Sequence, residues 1–285
     1  MKIGVSTYSF SHYITATGCD YFKVLDIARE IGFDGVDFIN LNNEQWGIVG
    51  DEIKMAREIR AYCDALGLEV AAYTVSANLL SDDIEAEKAK LKHCVDVAEA
   101  LGAKLMRHDV CGKLRATPRY NYKDAIAEMV PTIREITEYA RAKGIRTCTE
   151  NHGYIFQSPE RMEELIRAVD NDNYGWLCDM GNFMCADVNP INAVTVAAPY
   201  TFHVHAKDFL FKEGNCGDMP ERFFRTAGEN YLRGTVLGHG VVPVDNCIRI
   251  LKKAGYDGYV ALEFEGMEEN LPAVRAGYNY LKKLV

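Results

Sequence analysis

Residues 142–150 read Ala-Lys-Gly-Ile-Arg-Thr-Cys-Thr-Glu, and this short stretch decides the fold. A segment of helical period ends here at a glycine, which readily takes the left-handed conformation that caps helices, and an apolar residue then leads into a strand-like run. The same helix–glycine–strand junction recurs around Gly32, Gly67, Gly102 and Gly255. Five such junctions indicate repeated αβ units.

The rest of the chain alternates in the same way. Short β-branched or aromatic runs lie near 3–7, 35–39, 68–75, 103–107, 145–150, 174–179, 200–206 and 258–264. Stretches of helical period separate them, at 51–66, 84–101, 122–143, 158–169 and 243–254 among others. Eight strands that alternate with helices over 285 residues predict an α/β protein, a (β/α)8 TIM barrel in which residues 1–285 form one domain. A doubly wound sheet is the alternative, but no glycine-rich fingerprint follows the first strand.

One connection is longer than the others. Residues 208–242, between the seventh strand and its helix, are rich in glycine, aromatic and charged residues. Barrel βα loops are usually short, and long ones are often functional. We therefore interpret this segment as a lid or a substrate-shaping insertion, with a surface loop or a subunit contact as the alternative.

Composition excludes several classes of protein. The net charge of −9 argues against broad binding to nucleic acid, since a phosphate-backbone binder usually carries a basic face. Neither a membrane span nor a secretory signal is evident in the sequence. The nine cysteines are odd in number and lack C-x-x-C spacing, so we expect reduced thiols and a cytoplasmic protein.

Four metal-competent residues end four consecutive late strands: Glu150, Asp179, His205 and Glu263. In a (β/α)8 barrel the carboxyl ends of the strands form the functional face, so these side chains are expected to converge. Carboxylates with one imidazole and no thiolate favour Mn²⁺ or Mg²⁺, with Zn²⁺, Co²⁺ and Fe²⁺ as possible alternatives. The sequence therefore predicts a site for one divalent metal ion, with Mn²⁺ as the leading candidate.

The chain resembles the xylose-isomerase-like barrel superfamily of sugar epimerases, sugar-phosphate isomerases and inosose dehydratases. The resemblance runs through most of the chain and is most specific in Glu150-Asn-His152, Asp179-Met-Gly-Asn182, His205-Ala-Lys-Asp208, Leu237-Gly-His-Gly240 and the tail from Gly255 to Glu263. It implies that Glu150, Asp179, His205 and Glu263 bind the metal. It also implies that Glu150 and Glu263 are the catalytic acid and base, with Glu265 a weaker contender for the position of Glu263.

The resemblance implies an enzyme that acts on a small carbohydrate. A metal that chelates a carbonyl and a neighbouring hydroxyl stabilises an enediolate, and a carboxylate removes the proton α to that carbonyl. Our leading hypothesis is an isomerase or epimerase of a sugar or sugar phosphate. The second is a lyase on the same scaffold, either an inosose-type dehydratase or an enzyme that eliminates a glycosyl group from a keto sugar. A non-catalytic sugar-binding subunit is the third.

Five further residues are candidates for substrate binding: His152, Lys207, Asn182, Arg107 and His108. Asn182 departs from related endonucleases and some epimerases, which carry histidine at this position, so a trinuclear nuclease is not expected. Many relatives are dimers or tetramers, so a homo-oligomer is possible, and neither a nucleic acid nor a membrane is expected as a partner.

Overall fold

A computed structural model describes residues 1–215 and 217–285 and shows a closed barrel of parallel strands. Around the barrel they are β1 (Lys2–Ser6), β2 (Gly35–Ile39), β3 (Glu69–Val75), β4 (Leu105–His108), β5 (Arg146–Glu150), β6 (Tyr174–Asp179), β7 (Thr201–Ala206) and β11 (Tyr259–Leu262), which pairs with β1. This order confirms the predicted (β/α)8 barrel.

Helices cover the outside of the barrel. They are α1 (Ser11–Thr17), α2 (Tyr21–Ile31), α3 (Glu52–Leu66), α4 (Ile84–Leu101), α5 (Tyr122–Arg141), α6 (Pro159–Val169), α7 (Pro190–Ala197), α8 (Val244–Lys253) and α9 (Asn270–Leu284). Gly32, Gly67 and Gly102 cap α2, α3 and α4 with positive φ, as the junction pattern predicts. None of the helices in the described ranges has the length and apolar character that crossing a membrane needs.

Small and apolar side chains fill the middle of the barrel. A buried cluster there consists of Ala72, Leu105, Cys148 and Leu177. Space is tight near the amino-terminal end of β2, since a Cβ on Gly35 would lie 2.8 Å from the ring of Tyr259. Polar side chains lie beyond this packed layer, at the carboxyl ends of the strands.

The segment between β7 and α8 contains a small sheet, whereas the local sequence pattern predicts only a long connection. It contains β8 (Asp208–Lys212), β9 (Phe224–Arg225) and β10 (Tyr231–Thr235), in the antiparallel order β8-β10-β9. We call residues 208–242 the insertion. The pairing of β8 with β10 joins residues 19 (Lys212 and Tyr231) to 27 (Asp208 and Thr235) positions apart, which local periodicity does not show.

Two carboxylates anchor the insertion. Asp208 accepts hydrogen bonds from the backbone N–H groups of Gly238, Gly240 and Val242 at 2.9, 2.8 and 3.0 Å. Asp187, after β6, accepts from the side chains of Thr226 and Asn230, at 2.8 Å in both cases. Asp208, the first residue of the insertion, thus joins the two ends of the insertion to each other, and Asp187 ties the insertion to the segment that follows β6.

Candidate metal centre and active site

The four residues at the late strand ends meet at one point. Glu150 and Asp179 are the last residues of β5 and β6, His205 lies in β7, and Glu263 directly follows β11. Asp179 pairs with His205 across β6 and β7, and the backbone N–H of Glu263 donates to the carbonyl of Ala206 at 3.0 Å. The strands are consecutive around the barrel, so pairing alone brings these side chains together.

Each of the four residues offers one ligand atom, and these atoms lie within 4.8 Å of one another. Nδ1 of His205 lies 3.1 Å from Oε1 of Glu150 and 3.5 Å from Oε1 of Glu263. Glu150, Asp179 and His205 are buried, and Glu263 is almost so. The spacing and the donor types fit a divalent cation held by three carboxylates and one imidazole.

Asp179 provides a separate observation that fits a metal. Its Oδ1 accepts the backbone N–H groups of Gly181 and Asn182 at 2.8 and 3.0 Å, which fixes the carboxylate. Its Oδ2 is buried and has no hydrogen-bond partner among residues 1–215 and 217–285, and Nζ of Lys207 lies 3.4 Å away. Burial raises the pKa of Asp179 to about 7, while Lys207 opposes this shift. A cation beside this oxygen would satisfy it.

Two buried cations face the glutamates. Nη2 of Arg107 lies 2.6 Å from Oε2 of Glu150 and 2.7 Å from Oδ1 of Asp109. Nζ of Lys207 lies 2.6 Å from Oε2 of Glu263. Burial alone would lower the pKa of Lys207, but the surrounding carboxylates hold it well above its usual value, so the amine stays protonated.

His152 and Asn182 lie beside this cluster. His152 is half exposed, and its Nδ1 lies 3.1 Å from Oδ1 of Asp109, a contact that raises the pKa of His152. The Asn182 amide donates to Oε1 of Glu150 at 3.3 Å and accepts from Lys207 at 3.4 Å. Arg107, Lys207, His152 and Asn182 are thus brought together with the four strand-end residues.

His108 lies elsewhere. It is fully buried, and its ring stacks on that of Tyr174 with centroids 6.0 Å apart. Side chains alternate along a strand, so an inward Arg107 directs the next residue outward, toward the helices. The structure therefore does not place His108 among the groups at the barrel mouth.

Two carboxylates near the cluster are missing from the sequence-based candidates. Asp109 joins Arg107 to His152, and Asp37 lies deeper, in contact with His203 and His205. Asp109 directly follows β4, and Asp37 is an isolated acidic residue inside an apolar strand. A charged residue is rarely buried without a partner, so an acidic residue inside an apolar strand indicates a buried polar contact. This signal could have identified Asp37.

Comparison with known proteins identifies the class of protein. The family model described as xylose isomerase-like TIM barrel matches residues 25–284, and the chain belongs to this family. An inosose dehydratase of Clostridium perfringens is 25% identical over 236 residues, which cover 77% of this chain and 78% of the relative.

Solved structures share the fold. A zinc-bound structure of the IOLI protein has a TM-score of 0.76 at 16% identity and covers 100% of this chain and 98% of that one. A structure of an L-ribulose 3-epimerase has a TM-score of 0.73 at 16% identity, with 99% and 93% coverage. Both are similar to this chain in architecture.

Proposed function

We propose that this protein is a divalent-metal-dependent enzyme that removes the proton α to the carbonyl of a small polyhydroxylated ketone and then expels water. The convergence of Glu150, Asp179, His205 and Glu263 within 4.8 Å carries this proposal. When bound, the metal would polarise the substrate carbonyl and so acidify the neighbouring C–H bond. Mn²⁺ is our proposed ion, since three carboxylates and one imidazole suit it.

The glutamates are the proposed proton-transfer groups. Burial alone would raise the pKa of Glu150, but Arg107 and His205 hold it well below its ordinary value, so this carboxylate is ionised at neutral pH, the state that a general base starts from. Arg107 also fixes its direction through the contact with Oε2. Asn182 and half-exposed His152 are placed to donate hydrogen bonds to substrate oxygens.

Elimination of water is the outcome that we favour. The α C–H bond and the β C–O bond break, a C=C bond forms between the two carbons, and the hydroxyl leaves as water after taking up a proton. Lys207 is protonated and lies beside Glu263, which suits it to stabilise or protonate the departing oxygen. The similarity to an inosose dehydratase supports this choice.

Epimerisation or isomerisation is the second candidate. Glu150 and Glu263 lie at comparable distances from Nδ1 of His205, at 3.1 and 3.5 Å, and each has its own cationic partner. Two carboxylates around one centre could remove a proton from a substrate carbon and return one to the opposite face or to the adjacent carbon.

A single incubation separates the two candidates. Mn²⁺-loaded protein is incubated in D₂O with inososes and with ketoses, and the products are followed by NMR and mass spectrometry. Dehydration is expected to give a product lighter by one water, with a new C=C bond. Deuterium at the α-carbon without loss of water would instead favour the epimerase. Absence of any exchange across the panel would argue against both.

A further inference from the structure

Asp37 occupies an unusual position beneath the candidate metal centre. It lies in β2, is fully buried, and its Oδ2 lies 2.6 Å from Nε2 of His203 and 3.3 Å from Nε2 of His205. Its Oδ1 has no hydrogen-bond partner among the described residues. Within the same part of the chain, the two imidazoles are its only ion-pair partners.

We propose that Asp37 is a positioning residue that fixes the tautomer and the ring direction of His205, and that His203 holds Asp37 in place. This inference rests on the proposed metal-dependent function and deepens it. Asp37 does not touch the proposed ligand position; it acts through the far nitrogen of the ligating histidine.

The hydrogen-bond chemistry determines the tautomer. Oδ2 of Asp37 lies within hydrogen-bond distance of Nε2 of both histidines, and a carboxylate oxygen between two ring nitrogens acts as the acceptor, so Nε2 of His205 carries the proton that points to Asp37. In the neutral ring, Nδ1 then presents its lone pair toward Oε1 of Glu150 and Oε1 of Glu263, at 3.1 and 3.5 Å. A metal bound by these two oxygens would take the Nδ1 lone pair as a further ligand.

His203 holds Asp37 in the position from which Asp37 contacts His205. It precedes His205 by two residues in β7, so both rings point into the barrel, and their centroids are 5.7 Å apart at an angle of 79°. Its shorter contact supplies the stronger hydrogen bond to Asp37.

The alternative is that Asp37, His203 and His205 themselves hold a second ion, since their ligand atoms also lie within 4.8 Å of one another. The contact of 2.6 Å between Asp37 and His203 has the length of a charge-assisted hydrogen bond. A cation between the two atoms would need a wider separation. We therefore assign hydrogen bonds here, and metal stoichiometry tests the assignment.

The first experiment titrates Mn²⁺ into metal-free protein by calorimetry. Asp37→Asn is expected to weaken Mn²⁺ binding by about 10- to 100-fold, because a neutral amide is a weaker acceptor than a carboxylate and holds the His205 ring less firmly. Asp34→Asn is the matched control: Asp34 accepts from the backbone N–H of Ile3 at 2.8 Å, so this variant should bind Mn²⁺ like the wild type. Equal affinities of Asp37→Asn and wild type would overturn the inference but leave the metal site intact. A wild type that binds no Mn²⁺ would overturn the proposed function as well.

A second measurement needs no variant and so does not depend on Asp37→Asn folding. In the Zn²⁺-loaded wild type, ¹⁵N-labelled histidine is expected to show His205 with its proton on Nε2 and the metal at Nδ1. The opposite tautomer would overturn the inference. Two ions per chain in elemental analysis would also overturn it, because Asp37 would then be a ligand.

Discussion

Arg107 and Glu150 form a buried ion pair across neighbouring strands, with Nη2 of Arg107 2.6 Å from Oε2 of Glu150. The same guanidinium nitrogen lies 2.7 Å from Asp109, so one cation serves two carboxylates. One of these carboxylates is a proposed metal ligand and base. Arg107 therefore links the stability of the barrel mouth to the geometry of the site.

Removal of this cation should destabilise the metal-free protein. Arg107→Met leaves buried Glu150 and partly buried Asp109 without this partner, which we expect to cost about 3–5 kcal/mol. Mn²⁺ should restore part of this loss, because it binds Glu150. Urea unfolding with and without Mn²⁺ measures both effects. Exposed Lys113→Met is the control and should change stability by less than about 0.5 kcal/mol. An Arg107→Met protein as stable as the wild type would contradict this account.

Metal content tests the ligand set directly. We expect about one divalent ion per chain after reconstitution with Mn²⁺ and gel filtration, measured by elemental analysis. His205→Ala and Asp179→Asn should lose the ion, because each removes one of four ligands. His152→Ala should retain it, since His152 contacts Asp109 at the rim. Retention of the ion by the first two variants would disprove the proposed ligands.

The proton-transfer assignment predicts large losses of turnover. Glu150→Gln and Glu263→Gln should each lower kcat by on the order of 10² or more. Metal content measured on the same samples separates loss of the base from loss of the ion. Glu265→Gln is the comparison, because Glu265 lies 3.3 Å from Lys207 and outside the ligand set, and it should have the smaller effect. The reverse ranking would transfer the role of Glu263 to Glu265.

His108 should make stability depend on pH. Burial holds its pKa below the ordinary value, so the folded protein keeps the ring neutral while the unfolded chain binds a proton below about pH 6.5. Because the unfolded chain binds more protons than the folded protein, the free energy of unfolding falls as the pH drops below about 6.5. This residue contributes up to about 1.4 kcal/mol per pH unit. In His108→Gln the slope of unfolding free energy between pH 5 and 6.5 should be smaller. An unchanged slope would show that His108 contributes nothing to it.

Asp208 should stabilise residues 238–242, the segment through which the insertion returns to the barrel. Asp208→Ala leaves the N–H groups of Gly238, Gly240 and Val242 without their acceptor, at an expected cost of about 2–3 kcal/mol. Hydrogen exchange at 238–242 should accelerate in parallel. Asp218→Ala, on the exposed surface of the same insertion, is the matched control. Equal exchange in both variants would rule out the anchoring role.

The barrel and the convergence of four residues follow from local sequence. Apolar runs and capping glycines predict where strands begin and end, and a closed parallel barrel brings the ends of consecutive strands together. Glu150, Asp179 and His205 could be placed at the barrel mouth for this reason. The alternation of side chains also separates Arg107 from His108, and applying it there would have directed His108 away from the site.

Contacts between residues that are distant in sequence could not be predicted from local sequence patterns. Asp37 meets His203 and His205 across 166 and 168 residues, and nothing in its own strand indicates which side chains it contacts. The three-stranded sheet of the insertion depends in the same way on pairing such as Leu232 with Phe211. Local patterns specify the elements, whereas the buried contacts appear only once the barrel is closed.

The attachment of the insertion through Asp187 and Asp208 has a consequence for the evolution of such proteins. Asp208 joins the two ends of the insertion, Asp187 holds Thr226 and Asn230 within it, and the four proposed ligands all lie in or directly after barrel strands. The chain between the anchors can therefore accumulate substitutions without disturbing the ligands. Relatives that descend from one ancestral barrel can then come to differ in substrate through substitutions in this segment alone. For the same reason, protein engineering could exchange the segment between relatives.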